Sequence, residues 1–275
     1  MHEVSLGPEL DALAAAAQAR RLVTVATVVD APRASGIAVG QKLIVDEDET
    51  IGSLGDGPLD LLVAAEARVA MDERKSRVTV YDVPGGPEGS NVEIFFDVLE
   101  PTPQLVIIGA GHIAVPLATY GKILGFEVVV LDDRDKYASV ERFPTADRVI
   151  AADFGKTLQG FPLTRSSYVV IITRAHTYDE ESLRIILDRQ WAYLGMIGSR
   201  RRVQTVLRIL GAEGFDEERL RMIRAPIGLD LASETPEEIA LSIMAEVVAV
   251  RRGGSGEPLS SPSRFRPIAV SEVAK

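Results

Sequence analysis

The 275-residue sequence contains no cysteine. Disulfides, thiolate metal ligands, cysteine nucleophiles and iron–sulfur clusters are thereby excluded. Histidine is scarce: His2, His112 and His176 are the only three, too few for a His-rich metal site, and no metal ligand is assigned. Basic charge is in deficit, since 30 Lys and Arg stand against 40 Asp and Glu, a net charge of −10. A broad basic face for nucleic acid is therefore not expected, although backbone dipoles can still hold a small anion. Long apolar runs are missing as well, none approaching the roughly 18 residues of a membrane span. The opening MHEVSLGPELDALAAAA is acidic where a signal peptide is basic. The expectation is a cytoplasmic protein with no nucleic acid and no membrane span.

What is present is an ordinary folded composition, with 46% hydrophobic and 25% charged residues. At about 150 residues per domain the chain fits one large domain or two small ones. Pro101-Thr102-Pro103 reads as a stiff extended connector. It divides an α+β module over residues 1–100 from a Rossmann-like domain over 104–252, followed by a flexible tail over 253–275 rich in Gly, Ser and Pro. In the first part an Ala-rich helix over 10–18 precedes β-branched strands at 22–29 and 41–45. Apolar residues recur at helical spacing over 59–71, and the runs VTVYDV and NVEIFFDVL read as two strands joined by the loop at 84–89.

From residue 104 the pattern changes. Near-continuous apolar runs at 104–109, 126–132, 147–152, 167–173 and 191–198 suit strands buried on both faces. Amphipathic segments such as Glu180–Arg189 and Arg200–Leu210 lie between them. Strand–helix alternation of this kind predicts an α/β fold with a doubly wound parallel sheet.

The first unit of that sheet reads LVIIGAGHIAVPLA, so Gly109, Gly111 and Ala114 form G-x-G-x-x-A between a strand and a helix. The first glycine permits the turn, the second lets a pyrophosphate approach the backbone, and the small third residue lets the helix pack closely. Asp132 closes the next strand about 20 residues on, where an acid accepts from a ribose hydroxyl. Pro116, inside the following helix, would remove a backbone bond at about 3 kcal/mol, so the helix opening is expected to be displaced or distorted. His112 lies in the turn itself, read equally well as a cap histidine or a ligand contact. Thr173 and His176 follow the fourth strand, and Gly198, Ser199 and Arg200 follow the fifth. Glycine, a serine cap and arginine at a helix start make an anion pocket. Arg201 and Arg202 read equally as a solvated basic stripe. The loops SGIAVG and GSLGDGP are turns that could also approach a ligand. Thr235-Pro236-Glu237-Glu238 is a capping box with proline at the first helical position. No catalytic set declares itself.

The runs GAGHIA, LDDRDKYASVERFPTAD, TRAHTYDEESL, YLGMIGSRRRV and APIGLDLASETPEEIALSIMAEVVAVRRG resemble the XdhC/CoxI family over roughly residues 20–253. The resemblance is most specific from Ala225 to Arg252. It implies an accessory protein, a chaperone more than an enzyme, for a molybdenum hydroxylase of the xanthine or carbon monoxide dehydrogenase type. Such a protein binds pterin-type molybdenum cofactor and aids its maturation and insertion. Its implied partners are the hydroxylase apoenzyme and a sulfur-donating enzyme, with a homodimer compatible. Pro32, Arg33 and Gly36 match the family's PR-x-x-G-A loop. GSLGDGPLD resembles a loop that commonly reads GSVGGGCVE, with Pro58 here where cysteine is common and Asp60 where glutamate is common; a role resting on that thiol has no carrier in this chain. The residues expected to bind the cofactor are Gly109, Gly111, His112, Asp132, Thr173, His176, Gly198, Ser199 and Arg200. The alternatives are an NAD(P)-dependent oxidoreductase, with His176 as acid or base and Arg134 tolerating a 2′-phosphate, and a nucleotide-binding regulatory protein.

Overall fold

The computed structural model describes residues 8–84, 86 and 91–261. Much of the 84–89 loop and of the 253–275 tail lies outside the described residues. The chain forms two compact units, one reaching to Pro103 together with Leu163–Ser166, the other comprising Gln104–Pro162 and the chain from Ser167 onward.

The first unit is an antiparallel sheet with helices. Its elements are α1 (Pro8–Gln18), β1 (Val23–Asp30), β2 (Lys42–Val45), β3 (Thr50–Gly52), α2 (Gly57–Glu73), β4 (Arg77–Asp82) and β5 (Asn91–Leu99), with strand order β3-β2-β1-β5-β4. Alternation divides β1 between two faces. Ala26 and Val28, with Leu43, Val45, Ile94 and Phe96, meet Leu59, Val63 and Ala67 of α2. Val23 and Val25 meet Ala16 of α1. The short β3 is not evident from the sequence, because Gly52 and the following glycines mask three residues of pairing. Gly52 sits at φ +93°, and a Cβ there would lie 2.5 Å from the Lys42 carbonyl oxygen, so only glycine lets the strand approach that closely.

The second unit has five parallel strands, β6 (Gln104–Ile108), β7 (Glu127–Asp132), β8 (Arg148–Ala151), β9 (Ser167–Ile171) and β10 (Tyr193–Met196), ordered β10-β9-β6-β7-β8. This is the doubly wound order expected of a Rossmann-type domain, with its reversal between β6 and β9. The helices are α3 (Ala114–Ile123), α4 (Phe154–Gly160), α5 (His176–Ile186), α6 (Arg200–Ala212), α7 (Glu217–Met222) and α8 (Pro236–Arg252). Leu105, Ile107, Val128 and Val130 pack against Leu117 and Ala118 of α3 and Ile243, Met244 and Val247 of α8. Right-handed crossovers run in opposite directions from β6 and from β9, which places α5 on the other face. No described helix is long and apolar enough to cross a membrane.

Candidate functional site at the carboxyl edge of the parallel sheet

Gly109 follows β6 with φ +108°, and a Cβ would lie 2.5 Å from the carbonyl oxygen of Ile172 and 3.1 Å from Cα of Thr173. The glycine is therefore required twice, by its backbone angle and by the approach of the chain leaving β9. Gly111 has open space around it and His112 is exposed, while Ala114 is buried under the helix. Pro116 does not distort the opening of α3, contrary to expectation. It is the third helical residue, where the backbone N–H has no partner within the helix, and the first bond runs from Leu117 N to the Ile113 carbonyl, 3.1 Å.

Asp132, the residue expected to meet a ribose, is engaged within the protein. It is 1% exposed. Its carboxylate accepts from the Ala110 N–H (2.7 Å), the Arg134 N–H (3.1 Å), Arg134 Nε (2.8 Å) and Arg134 Nη2 (3.0 Å). A carboxylate offers about four lone-pair sites, so a ribose hydroxyl would have to displace one of these donors. In this arrangement Asp132 holds the glycine turn to the end of β7 from inside.

The next residue faces outward. Asp133 receives two hydrogen bonds from Arg174, Nη1 to Oδ1 at 2.5 Å and Nη2 to Oδ2 at 2.8 Å. The Tyr178 hydroxyl donates to Asp133 Oδ2 (3.1 Å) and accepts from Arg174 Nη2 (2.9 Å), closing a three-member ring. Hydrogen bonds from Arg174 hold the Asp133 carboxyl down to about 2 against the opposing effect of partial burial, and Tyr178 adds to them. The same bonds, donated to Asp133, raise the Arg174 guanidinium above its ordinary value.

Thr173 and His176 lead into α5. The Thr173 hydroxyl donates to Asp179 Oδ1 at 2.5 Å, and Arg202 of α6 pairs with Asp179 Oδ2. Asp179 is fully buried and so ties the end of β9 to the start of α6. Burial lowers the Arg202 guanidinium, but an arginine starts so high that it stays charged. Ser199 caps α6 by accepting from the Arg202 N–H, 3.3 Å. Between the starts of α5 and α6 lies a pocket of about 420 Å³ lined by His176, Glu180, Ser199, Arg201, Arg202, Thr205 and Val206. The structure thus brings His176 and Ser199 together. Arg201 and Arg202 line this pocket, whereas Arg200 and Gly198 do not, and Gly109, Gly111, His112 and Asp132 belong to the neighbouring strand ends. Sequence reasoning misses Asp133, Arg174, Tyr178 and Asp179. The one available signal is position, since Asp133 and Arg174 follow strands at the edge where such folds bind ligands, and Tyr178 and Asp179 lie in the first turn of α5.

In the first unit, the loop expected either as a turn or as a ligand contact is held from within. Asp60 accepts from the Leu54 N–H (2.8 Å) and the Ser53 hydroxyl (2.7 Å), and Asp56 caps α2 through the Leu59 N–H (2.8 Å). Pro58 occupies the first turn of α2, a position that tolerates proline.

Comparison with known proteins agrees with this geometry. Residues 105–247 match the XdhC Rossmann domain and residues 16–82 match the XdhC and CoxI family. The uncharacterized protein YqeB of Escherichia coli K12 is 31% identical over 246 residues, 86% of this chain and 45% of that protein. A Bacillus subtilis 168 protein named as a probable xanthine dehydrogenase subunit is 31% identical over 159 residues, 58% of this chain and 46% of that protein. The chain thus spans under half the length of these curated relatives. The crystal structure of a xanthine dehydrogenase from Bacillus halodurans shares the fold, with a TM-score of 0.52 and 21% identity over 93% of this chain and 98% of that one. With both units matched in order along the sequence, the chain belongs to the XdhC and CoxI family.

Proposed function

We propose that the protein is an accessory factor for a xanthine dehydrogenase-type molybdenum hydroxylase, and that its parallel-sheet edge holds a phosphate-bearing cofactor. The observation that carries this reading is the pocket at the start of α6, where His176, Ser199, Arg201, Arg202 and Thr205 converge. Family membership and the Bacillus subtilis relative named for xanthine dehydrogenase support the choice of partner. The proposed partner is the hydroxylase apoenzyme, and a cytoplasmic setting belongs to the same proposal.

The donor set favours one end of a molybdenum cofactor. That cofactor carries a metal-binding dithiolene at one end and a phosphate at the other. Arg201, a hydroxyl and the N–H groups opening α6 suit the phosphate. The sequence has no cysteine, so sulfur for cofactor maturation would come from a separate sulfur-donating enzyme. The roles assigned to Ser199, Arg201 and His176 are binding and orientation, while Arg202, held by buried Asp179, forms part of the pocket wall.

Mass spectrometry of the small molecules released from the protein, purified from cells that make molybdenum cofactor, tests the reading. A stoichiometric pterin phosphate is the expected result, and the absence of any phosphate compound would overturn it. The strand order and the Gly109 turn favour a second reading, NAD(P) binding in an oxidoreductase or in a regulatory protein. Titration with NADH and NADPH separates the two, because fluorescence unchanged by either nucleotide removes the second. Light scattering with and without ligand tests for a homodimer.

A further inference from the structure

Strand order forces a particular path on the Asp133–Arg174 pair. Asp133 follows β7 and Arg174 follows β9, and these strands flank β6 on opposite sides. A bridge between them must pass over the end of β6. Neighbouring strands are about 4.8 Å apart, so β7 and β9 stand about 10 Å from each other, within reach of an extended arginine. The flanking contacts place the bridge at the glycine turn, since Gly109 lies against Ile172 and Thr173, and Ala110 donates to Asp132.

We infer that Arg174 is an anion seat at this turn, and that Asp133 occupies it until the phosphate or diphosphate of a ligand takes its place. The inference rests on the reading of this sheet edge as the ligand site. The other arginines near the turn are committed to the fold. Arg134 is held by Asp132, 1% exposed, and Arg202 by Asp179, 0% exposed. Arg142 donates to the carbonyls of Ala110 and Tyr137. Arg174 differs because its hydrogen-bonded partner meets solvent, the two side chains being 39% and 22% exposed, while buried Asp132 stands farther off at 3.9 Å. An exposed pair contributes little to stability and exchanges readily.

The pairing is bidentate, the geometry in which guanidinium accepts carboxylate and phosphate alike. A phosphate brings greater charge than one carboxylate and can displace it, whereas a neutral sugar or pterin cannot. Arg174 would therefore select the phosphorylated form of a ligand over its dephosphorylated form. Hydrogen bonds from Arg174 hold the Asp133 carboxyl well below its usual range, so the pair stays charged across ordinary pH and it is a competing anion, not a proton, that takes the place of Asp133.

Isothermal titration of the full chain with inorganic pyrophosphate, ADP and adenosine tests the inference. Pyrophosphate and ADP should bind, and adenosine should not. Asp133→Asn should bind both anions at least about three-fold more tightly, because its partner no longer competes. Arg174→Gln should weaken them by about ten-fold, Arg174→Lys by less, and the double variant should match Arg174→Gln. A gain of affinity in Asp133→Asn cannot come from misfolding, and thermal unfolding of Arg174→Gln checks the loss. If the wild type binds but Asp133→Asn is no tighter, or Arg174→Gln is unaffected, the seat is wrong while the site survives. If neither wild type nor Asp133→Asn binds either anion, both are wrong.

Discussion

Buried and exposed carboxylates at one sheet edge perform different work. Asp179 joins Thr173 and Arg202 in the interior, and removing one partner of such a pair strands the other charge. Asp179→Ala is expected to cost about 3 kcal/mol, read as a lower urea midpoint with an unchanged slope. Asp133 is different, because its contribution depends on pH. Its folded value, about 2, lies below the unfolded value of about 3.9. Its stabilising effect is therefore complete above about pH 4 and disappears as pH falls from about 4 through 2. Discounted for solvent, that effect is about 1 kcal/mol. Urea unfolding of wild type and Asp133→Asn should differ by this constant amount from about pH 5 to 8, with the gap closing on acidification. A gap that widens at low pH would contradict the assignment.

Helices α2, α4, α6, α7 and α8 begin where a side chain accepts from an early N–H group, whereas α3 and α5 have no such cap. Thr235 accepts from the Glu238 N–H (3.2 Å) and the Glu238 carboxylate returns to the Thr235 N–H (3.0 Å), with Pro236 first in the helix. This is fully legible in TPEE, because a capping box is a local interaction at fixed spacing. Thr235→Ala should cost about 1 kcal/mol, checked by thermal unfolding, and more if α8 loses its register on β6 and α3. The opening of α3 departs from expectation for the converse reason. Pro116 is harmful or harmless according to where the helix starts, and that start is set by the Gly109 turn packing on β9 rather than by any residue of α3.

The two units carry separate cores, one around Ala26, Leu59 and Phe96 and the other around Ile107, Leu117 and Ile243. Phe96→Ala removes a fully buried ring at a cost of about 3–5 kcal/mol. Hydrogen exchange should then show faster exchange of amides in β1 and β5, with those of β6 and β9 unchanged. Equal loss of protection in both sheets would show one cooperative core instead.

The strands of the second unit, the glycine turn, the capping box and the family likeness were determined by the sequence alone. Each is written in local spacing or continuous apolar runs, and local patterns survive without knowledge of distant neighbours. Only the tertiary structure decided that Asp132 faces inward to the turn while Asp133 faces outward to Arg174. Adjacent residues leaving a strand point to opposite sides, and which side is interior depends on the chain that packs there. The same holds for Asp179, whose charge is met by Arg202 of α6, a helix that lies beyond the next strand along the chain. Linear order carries no trace of that meeting, because it is the pairing of β10 beside β9 in the parallel sheet that brings the starts of α5 and α6 together in three dimensions.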